Sequence, residues 1–239
     1  MRLDGDMLYQ YLNKMYTASM ITDALADGIY YDPSVKRYRY RTENRPGEPI
    51  TGSFVSRETV LNLQQKYLDK SIAEFTALTT RIKVGEIGVY TDAAQLLKRI
   101  HVSQAIIGAG GIDKLTQSQL GSIGNILKQQ YYSGKDAEGK PFGLKHFFKE
   151  ALQPGYSEEK IAMRLQMYAE SGEISKSLVI QSNALNQGET EMKRILGNAE
   201  HCGECLSYAS AGWQPIGQLP LPKVACSCRT NCKCSVIYR

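Results

Sequence analysis

The sequence predicts a mainly α-helical protein: a long-helix body, a short extended N-terminal arm before it, and a small cysteine-rich, zinc-knuckle-like module after it. Three observations carry this expectation. Apolar residues recur at helical spacing from Ser56 to about Asn186, with capping residues at the breaks. No strand–helix alternation of the kind a parallel sheet requires is present, and no repeat at a fixed period. All six cysteines fall between Cys202 and Cys234, so that segment is expected to be held by cross-linked sulfur more than by buried carbon. The expected boundaries are 1–56 for an N-terminal helix and arm, 57–193 for the body and 194–239 for the module.

In chain order, Asp6 to Ala26 carries Leu8, Tyr11, Leu12, Met15, Ala18 and Met20-Ile21 at near-helical spacing and reads as a helix stopped by Gly28. Lys36-Arg37-Tyr38-Arg39-Tyr40-Arg41 alternates charge and ring with the period of a strand. A loop through Pro46-Gly47 and an extended Gly52-Ser53-Phe54-Val55 follow. Ser56 is an N-cap candidate. Leu61, Leu68, Phe75 and Ile82 at successive i+7 steps predict one helix of about 27 residues. A second helix is expected after Thr91, with Leu96, Leu97 and Ile100, ending at Gly108-Ala109-Gly110-Gly111. Thr116-x-x-Gln119 has the form of a capping box and opens a third, through Tyr132. Gly134 to Pro141 reads as a polar loop and Phe142 to Leu152 as a short helix. Ser157 caps a last long helix to about Asn186, with Gly172 as a point of interruption.

Composition sets bounds on function. Across 239 residues, 42% hydrophobic and 22% charged content is that of an ordinary globular chain. No run approaches the roughly 18 apolar residues of a membrane span. Met1-Arg2-Leu3-Asp4-Gly5-Asp6 lacks the basic-then-apolar layout of a signal peptide, which points to synthesis in a reducing cytoplasm, where clustered cysteines more often bind metal than pair. The net charge of +5 is concentrated in the tail, where Lys193, Arg194, Lys223, Arg229, Lys233 and Arg239 face only Glu200 and Glu204. Such a patch suits phosphate or an acidic protein surface, or is simply a solvated face.

Cys202-x-x-Cys205 is a tight two-ligand knuckle, and Cys226-Ser227-Cys228 and Cys232-Lys233-Cys234 follow about twenty residues later, near ribbon-type spacing. A tetrahedral zinc needs four sulfurs. The preferred set is Cys202, Cys205, Cys228 and Cys232, with Cys234 as alternative ligand and His201 outside it. Disulfides, or reduced buried thiols, are the competing readings. Between the cysteine groups lies the single tryptophan, Trp213, with Pro215, Pro220 and Pro222. Trp213 either packs against the knuckle or is exposed as a docking anchor. Arg37, Arg39 and Arg41 interleaved with tyrosine suit a nucleic-acid-contacting strand or a charge-protected edge strand. The glycine run at Gly108 lacks the Lys-Ser/Thr of a phosphate loop and reads as a helix break. His101 and His146 read as structural. No nucleophile–base constellation is present, so no enzymatic activity is expected.

Arg194-Ile195-Leu196-Gly197-x-Ala199-Glu200-His201-Cys202-x-x-Cys205, then Gly212-Trp213-x-Pro215-Ile216-Gly217-x-Leu219-Pro220, then Cys228-Arg229-Thr230-Asn231-Cys232-Lys233-Cys234 resembles the C-terminal signature of tailed-phage minor head proteins, the phage Mu F-like head morphogenesis group. Lys36-x-Tyr38-Arg39-Tyr40 and Thr51-Gly52-x-Phe54-Val55-Ser56-Arg57 look like the entry to the long helix of such proteins. Cys226 is extra to the pattern. The resemblance implies a virion structural role in head assembly or DNA packaging or ejection. It implies docking to capsid, portal or neck subunits in multiple copies, near packaged DNA, with no membrane partner. Trp213, Arg229, Lys233, Arg37, Arg39 and Arg41 are then docking candidates. A zinc-ribbon nucleic-acid-binding protein, using Arg229, Lys233 and the Arg37–Arg41 strand on phosphate, is the alternative.

Overall fold

The computed structural model describes residues 29–32, 35, 37–40, 52–110, 114–131, 134–135, 139 and 141–239. The helix expected over Asp6 to Ala26 lies outside the described residues, as do Arg41 and the side chain of Arg37. The described chain is mainly α-helical, with short strands before and after the helical body and one short pairing within it. No helix among the described residues is long and apolar enough to cross a membrane.

The arm is a hairpin. β1 (Ile29–Asp32) pairs antiparallel with β2 (Arg37–Tyr40), Ile29 opposite Tyr40. On the other side of β2, Tyr40 N–H donates to the Ser53 carbonyl at 3.0 Å and Val55 N–H to that of Tyr38 at 2.8 Å. The Tyr38 hydroxyl donates to the Ile107 carbonyl at 3.2 Å, which ties the arm to the body.

The body opens with α1 (Arg57–Thr76), capped by Ser56, whose Oγ accepts from Thr59 N–H at 3.0 Å. The expected single helix through Ile82 is broken at Ala77–Leu78 and resumes as α2 (Thr79–Lys83). The threonines at the break explain it. Thr76 Oγ1 donates to the Ile72 carbonyl and Thr79 Oγ1 to that of Thr76, so side chains occupy carbonyls at the break. Phe75, Leu78 and Ile82 stay buried on both sides of the bend.

α3 (Val89–Ala109) begins two residues before the expected Thr91 and ends on Gly110, left-handed at φ 81°. α4 (Gln117–Tyr131) carries the capping box as read: Gln119 N–H donates to Thr116 Oγ1 at 3.2 Å, and Thr116 N–H to Gln119 Oε1 at 3.0 Å. The expected polar loop contains a short pairing, β3 (Gly134–Lys135) with β4 (Pro141–Phe142). α5 (Leu144–Ala151) follows, shorter than the expected Phe142 to Leu152.

α6 (Glu158–Asn186) is the spine of the molecule, capped by Ser157 and continuous through Gly172. Gly172 is a contact, not an interruption. A Cβ there would lie 2.6 Å from Ile100 Cγ2, and one on Gly108 would lie 2.7 Å from the Lys176 carbonyl oxygen. The two glycines therefore bring α3 and α6 together closely, and α3 is buried at every residue from Ile100 to Ile107. Phe75, Leu97, Ile100, Ile123, Leu144, Phe147, Ile161 and Leu165 form one core between the helices, each stabilising by roughly 1.5–3 kcal/mol through burial.

After α6 the chain forms a sheet in the order β6-β5-β7, all antiparallel, with β5 (Glu191–Ile195), β6 (Gln214–Pro215) and β7 (Ser235–Tyr238). α7 (Gly203–Ser210) and a 3-10 turn (Arg229–Asn231) fill the connections. Met192 and Arg194 alternate inward on β5. The sheet thus starts at Glu191, slightly before the expected module boundary at 194. Lys223 pins it to the body: its Nζ lies 2.5 Å from Glu173 Oε2 on α6 and donates to the Thr230 carbonyl at 2.7 Å. Burial would raise the Glu173 carboxyl, but Lys176 and Lys223 outweigh it and hold that group below the usual range.

Candidate metal centre

Three short segments deliver the sulfurs. Cys202 is the N-cap of α7 and Cys205 sits in its first turn, the spacing that sets both on one side of a helix start. Cys226 and Cys228 precede the 3-10 turn, whose backbone is bent by Arg229 N–H donating to the Cys226 carbonyl at 2.9 Å and by Arg229 at φ 48°. Cys232 and Cys234 lie between that turn and β7. All six are free thiols, Cys205 and Cys232 buried and the others half-buried.

The sulfurs form two groups, each with every ligand atom within 4.8 Å of the others: Cys202, Cys205, Cys226 and Cys228, and then Cys205, Cys232 and Cys234. The structure therefore brings Cys202, Cys205 and Cys228 together as expected. The fourth place is held by Cys226, the cysteine extra to the sequence pattern, and Cys232 falls in the second group beside Cys234. The signal for Cys226 was that the cysteines come as three pairs, one CxxC and two CxC, and each pair acts as a unit.

The local fields differ from one thiol to the next. Hydrogen bonding to Cys228 and to the Cys205 backbone holds the Cys202 thiol low, at about 6, at a helix start where the dipole also favours a thiolate. Burial pushes the Cys205 thiol up, as does its crowding by the other sulfurs. Burial also pushes up Cys234, and the positive charge of Arg194 works against it. A bound dication would reverse these upward pushes, because a coordinated thiol loses its proton outright. The sequence reading counted Arg194 in the basic patch and the C-terminal signature but did not place its side chain inside the module. Arg194 is 1% exposed, its Nη2 donates to the Pro220 carbonyl, and the Tyr208 ring lies 5.5 Å from its guanidinium carbon. Its Nε and Nη1 have no hydrogen-bond partner. A buried guanidinium in that state is costly without an anion nearby, and its charge acts on the thiol of Cys234.

The remaining candidates are placed as follows. Trp213 is half-buried with the Arg239 guanidinium 4.3 Å from its ring centre, and Arg239 Nε is held by Glu191 Oε2 at 2.7 Å. Arg39 lies 4.0 Å over the Phe54 ring and donates to the Gly52 carbonyl, which engages it within the arm. Arg229 and Lys233 are exposed beside the cysteines. His101, fully buried, is a structural histidine: Nε2 donates to Gln130 Oε1 at 3.0 Å, which leaves Nδ1 to accept from the Ser175 hydroxyl at 2.7 Å. His146 lies 3.2 Å from Glu150 on the same helix.

The chain has no significant match among family models, curated proteins or solved structures. The cysteine cluster is compatible with metal binding on its own geometry.

Proposed function

We propose that the protein is a structural component of a tailed-phage head, a minor head, portal-vertex or inner-capsid protein that works by being positioned and not by turning over a substrate. The helical body lies along neighbouring capsid, portal or neck subunits, and the cysteine-rich module is a docking knob stapled by zinc. What supports this reading most is the full four-sulfur group in a module pinned to α6 by Glu173 and Lys223. Four thiolates around one ion leave no open position for a substrate, and soft sulfur donors select zinc over the hard dications. The motif likeness of the C-terminal segment supplies the phage part of the reading.

Mass spectrometry of nuclease-treated particles washed at high salt tests it. The protein is expected at a fixed copy number in the particle, and Cys202→Ser with Cys205→Ser is expected to lower the yield of infectious particles. Its absence from particles, or normal incorporation and infectivity of the double variant, overturns the reading.

The exposed Arg229 and Lys233 beside the cysteines favour a second reading, a zinc-ribbon module on nucleic acid. Binding of DNA by the isolated protein that weakens steeply with salt would favour it.

A further inference from the structure

The geometry points to a two-metal cluster in which the sulfur of Cys205 bridges both ions and His201 is the seventh ligand. This inference rests on the metal-binding reading of the cysteines and goes beyond it in number, bridging and ligand identity.

One ion does not account for the arrangement. Cys202, Cys205, Cys226 and Cys228 already complete a tetrahedral set, yet Cys205 also belongs to a second group with Cys232 and Cys234. Its sulfur lies 3.6 Å from that of Cys232. Two sulfurs on one tetrahedral zinc, each at about 2.3 Å from it, stand about 3.8 Å apart, whereas a disulfide holds them at about 2.0 Å. The spacing excludes a disulfide and suits two ligands on one ion. A thiolate has lone pairs enough for two ions, and Cys205, buried and common to both groups, is the sulfur placed to use them.

The second group has three sulfurs and needs a fourth donor. His201 is not among the atoms lying mutually within 4.8 Å, but its Nδ1 lies 3.7 Å from Cys234 Sγ. A sulfur and an imidazole nitrogen on one zinc stand about 3.5 Å apart. The other ring nitrogen settles the tautomer. His201 Nε2 lies 2.9 Å from the Gly197 carbonyl, and a carbonyl can only accept, so the proton is on Nε2 and Nδ1 carries the free lone pair. A ligating imidazole whose second N–H is given to a backbone carbonyl is the usual support for such a ligand.

Gly197 is shaped for that support. A Cβ on it would lie 2.2 Å from the Lys233 carbonyl oxygen, so only glycine lets this backbone press against the Cys232–Cys234 segment while presenting its carbonyl to His201. Charge gives a second, independent reason. Six thiolates around two dications leave the cluster negative, and Arg194, buried with Nε and Nη1 unpartnered, is the cation in position to balance it.

The test uses the full chain, reduced and reconstituted with zinc and separately with cadmium-113. Native mass spectrometry with elemental analysis is expected to count two ions per chain. Cadmium NMR is expected to give two resonances, both coupled to the β-protons of Cys205. His201→Ala or Cys234→Ser is expected to leave one ion, held by the four-sulfur group, and Gly197→Ala to weaken the same ion. One ion in the wild-type chain overturns the two-metal cluster but leaves the single-ion reading standing; none overturns both. Two resonances without a shared coupling to Cys205 overturn the bridge. Two ions retained by His201→Ala overturn its place as ligand. The wild-type spectra need no variant to fold.

Discussion

The body and the cysteine-rich module are two answers to one problem, how to offset the entropy of ordering a chain. The body does it with a continuous apolar core, in which Phe147 touches the rings of Phe148, Tyr156 and Tyr168. The module has few buried apolar side chains, chiefly Met192 and Leu219, and gathers sulfur instead. The difference teaches where each part is vulnerable. The body is expected to fail when carbon is removed, the module when the proposed sulfur-held ion is.

On the proposed zinc centre, a chelator should give the largest effect and the cleanest separation. Binding of structural zinc is worth on the order of 10 kcal/mol, so a strong chelator is expected to abolish amide protection from Glu191 onward while α3 and α6 keep theirs. Equal loss of protection in both parts would mean that they are one cooperative unit and would sink the comparison. Phe147→Ala should do the reverse. It is expected to cost about 3–5 kcal/mol in urea denaturation, with the metal content of the folded protein unchanged.

A smaller effect is expected from pH. Burial depresses His101 to about 4, so the fold holds it neutral while the unfolded chain takes up a proton below about 6.5. The stability it permits is full above that value and is lost as pH falls toward 4, by about 3 kcal/mol. The partners of the ring, Ser175 and Gln130, are uncharged and cannot compensate. Urea midpoints at pH 7 and 4.5 for the wild type and His101→Gln check it, and parallel losses would rule His101 out as the cause. The smallest change is Glu173→Gln, which weakens the tie between the two regions. With Glu173 partly open to solvent, about 1 kcal/mol is expected, read as faster exchange at β7 with the metal count unchanged.

Much of the body was legible in the sequence because its signals are local. Ser56, Ser157 and the Thr116–Gln119 box cap helices where they were read, since a cap is a contact over three residues. The break at Ala77 was hidden because the apolar period runs straight through it; only the threonine hydroxyls mark the bend. Gly172 looked like an interruption because its reason lies on another helix, at Ile100. In the module, residue types alone announced sulfur chemistry, but grouping depends on how the 3-10 turn folds Cys226 back, which spacing does not encode. β5 was missed for a related reason. Glu-Met-Lys-Arg-Ile puts an arginine on its buried face, where its partners, the Pro220 carbonyl and the Tyr208 ring, lie far along the chain.

The strand order β6-β5-β7 has a consequence in time. The strand made first is the middle one, and its longer partner is far along the chain, Lys193 meeting Ile237. No local hairpin can start this sheet, so its assembly waits on closing a long loop, an entropically slow step. An ion held by Cys202, Cys205, Cys226 and Cys228, as proposed, would shorten that search before β7 arrives. The helices of the body start from their own caps, although α3 and α6 also meet from far apart in the chain, Gly172 against Ile100. On the proposed metal centre, the completion of the module would then depend on the supply of metal around the chain.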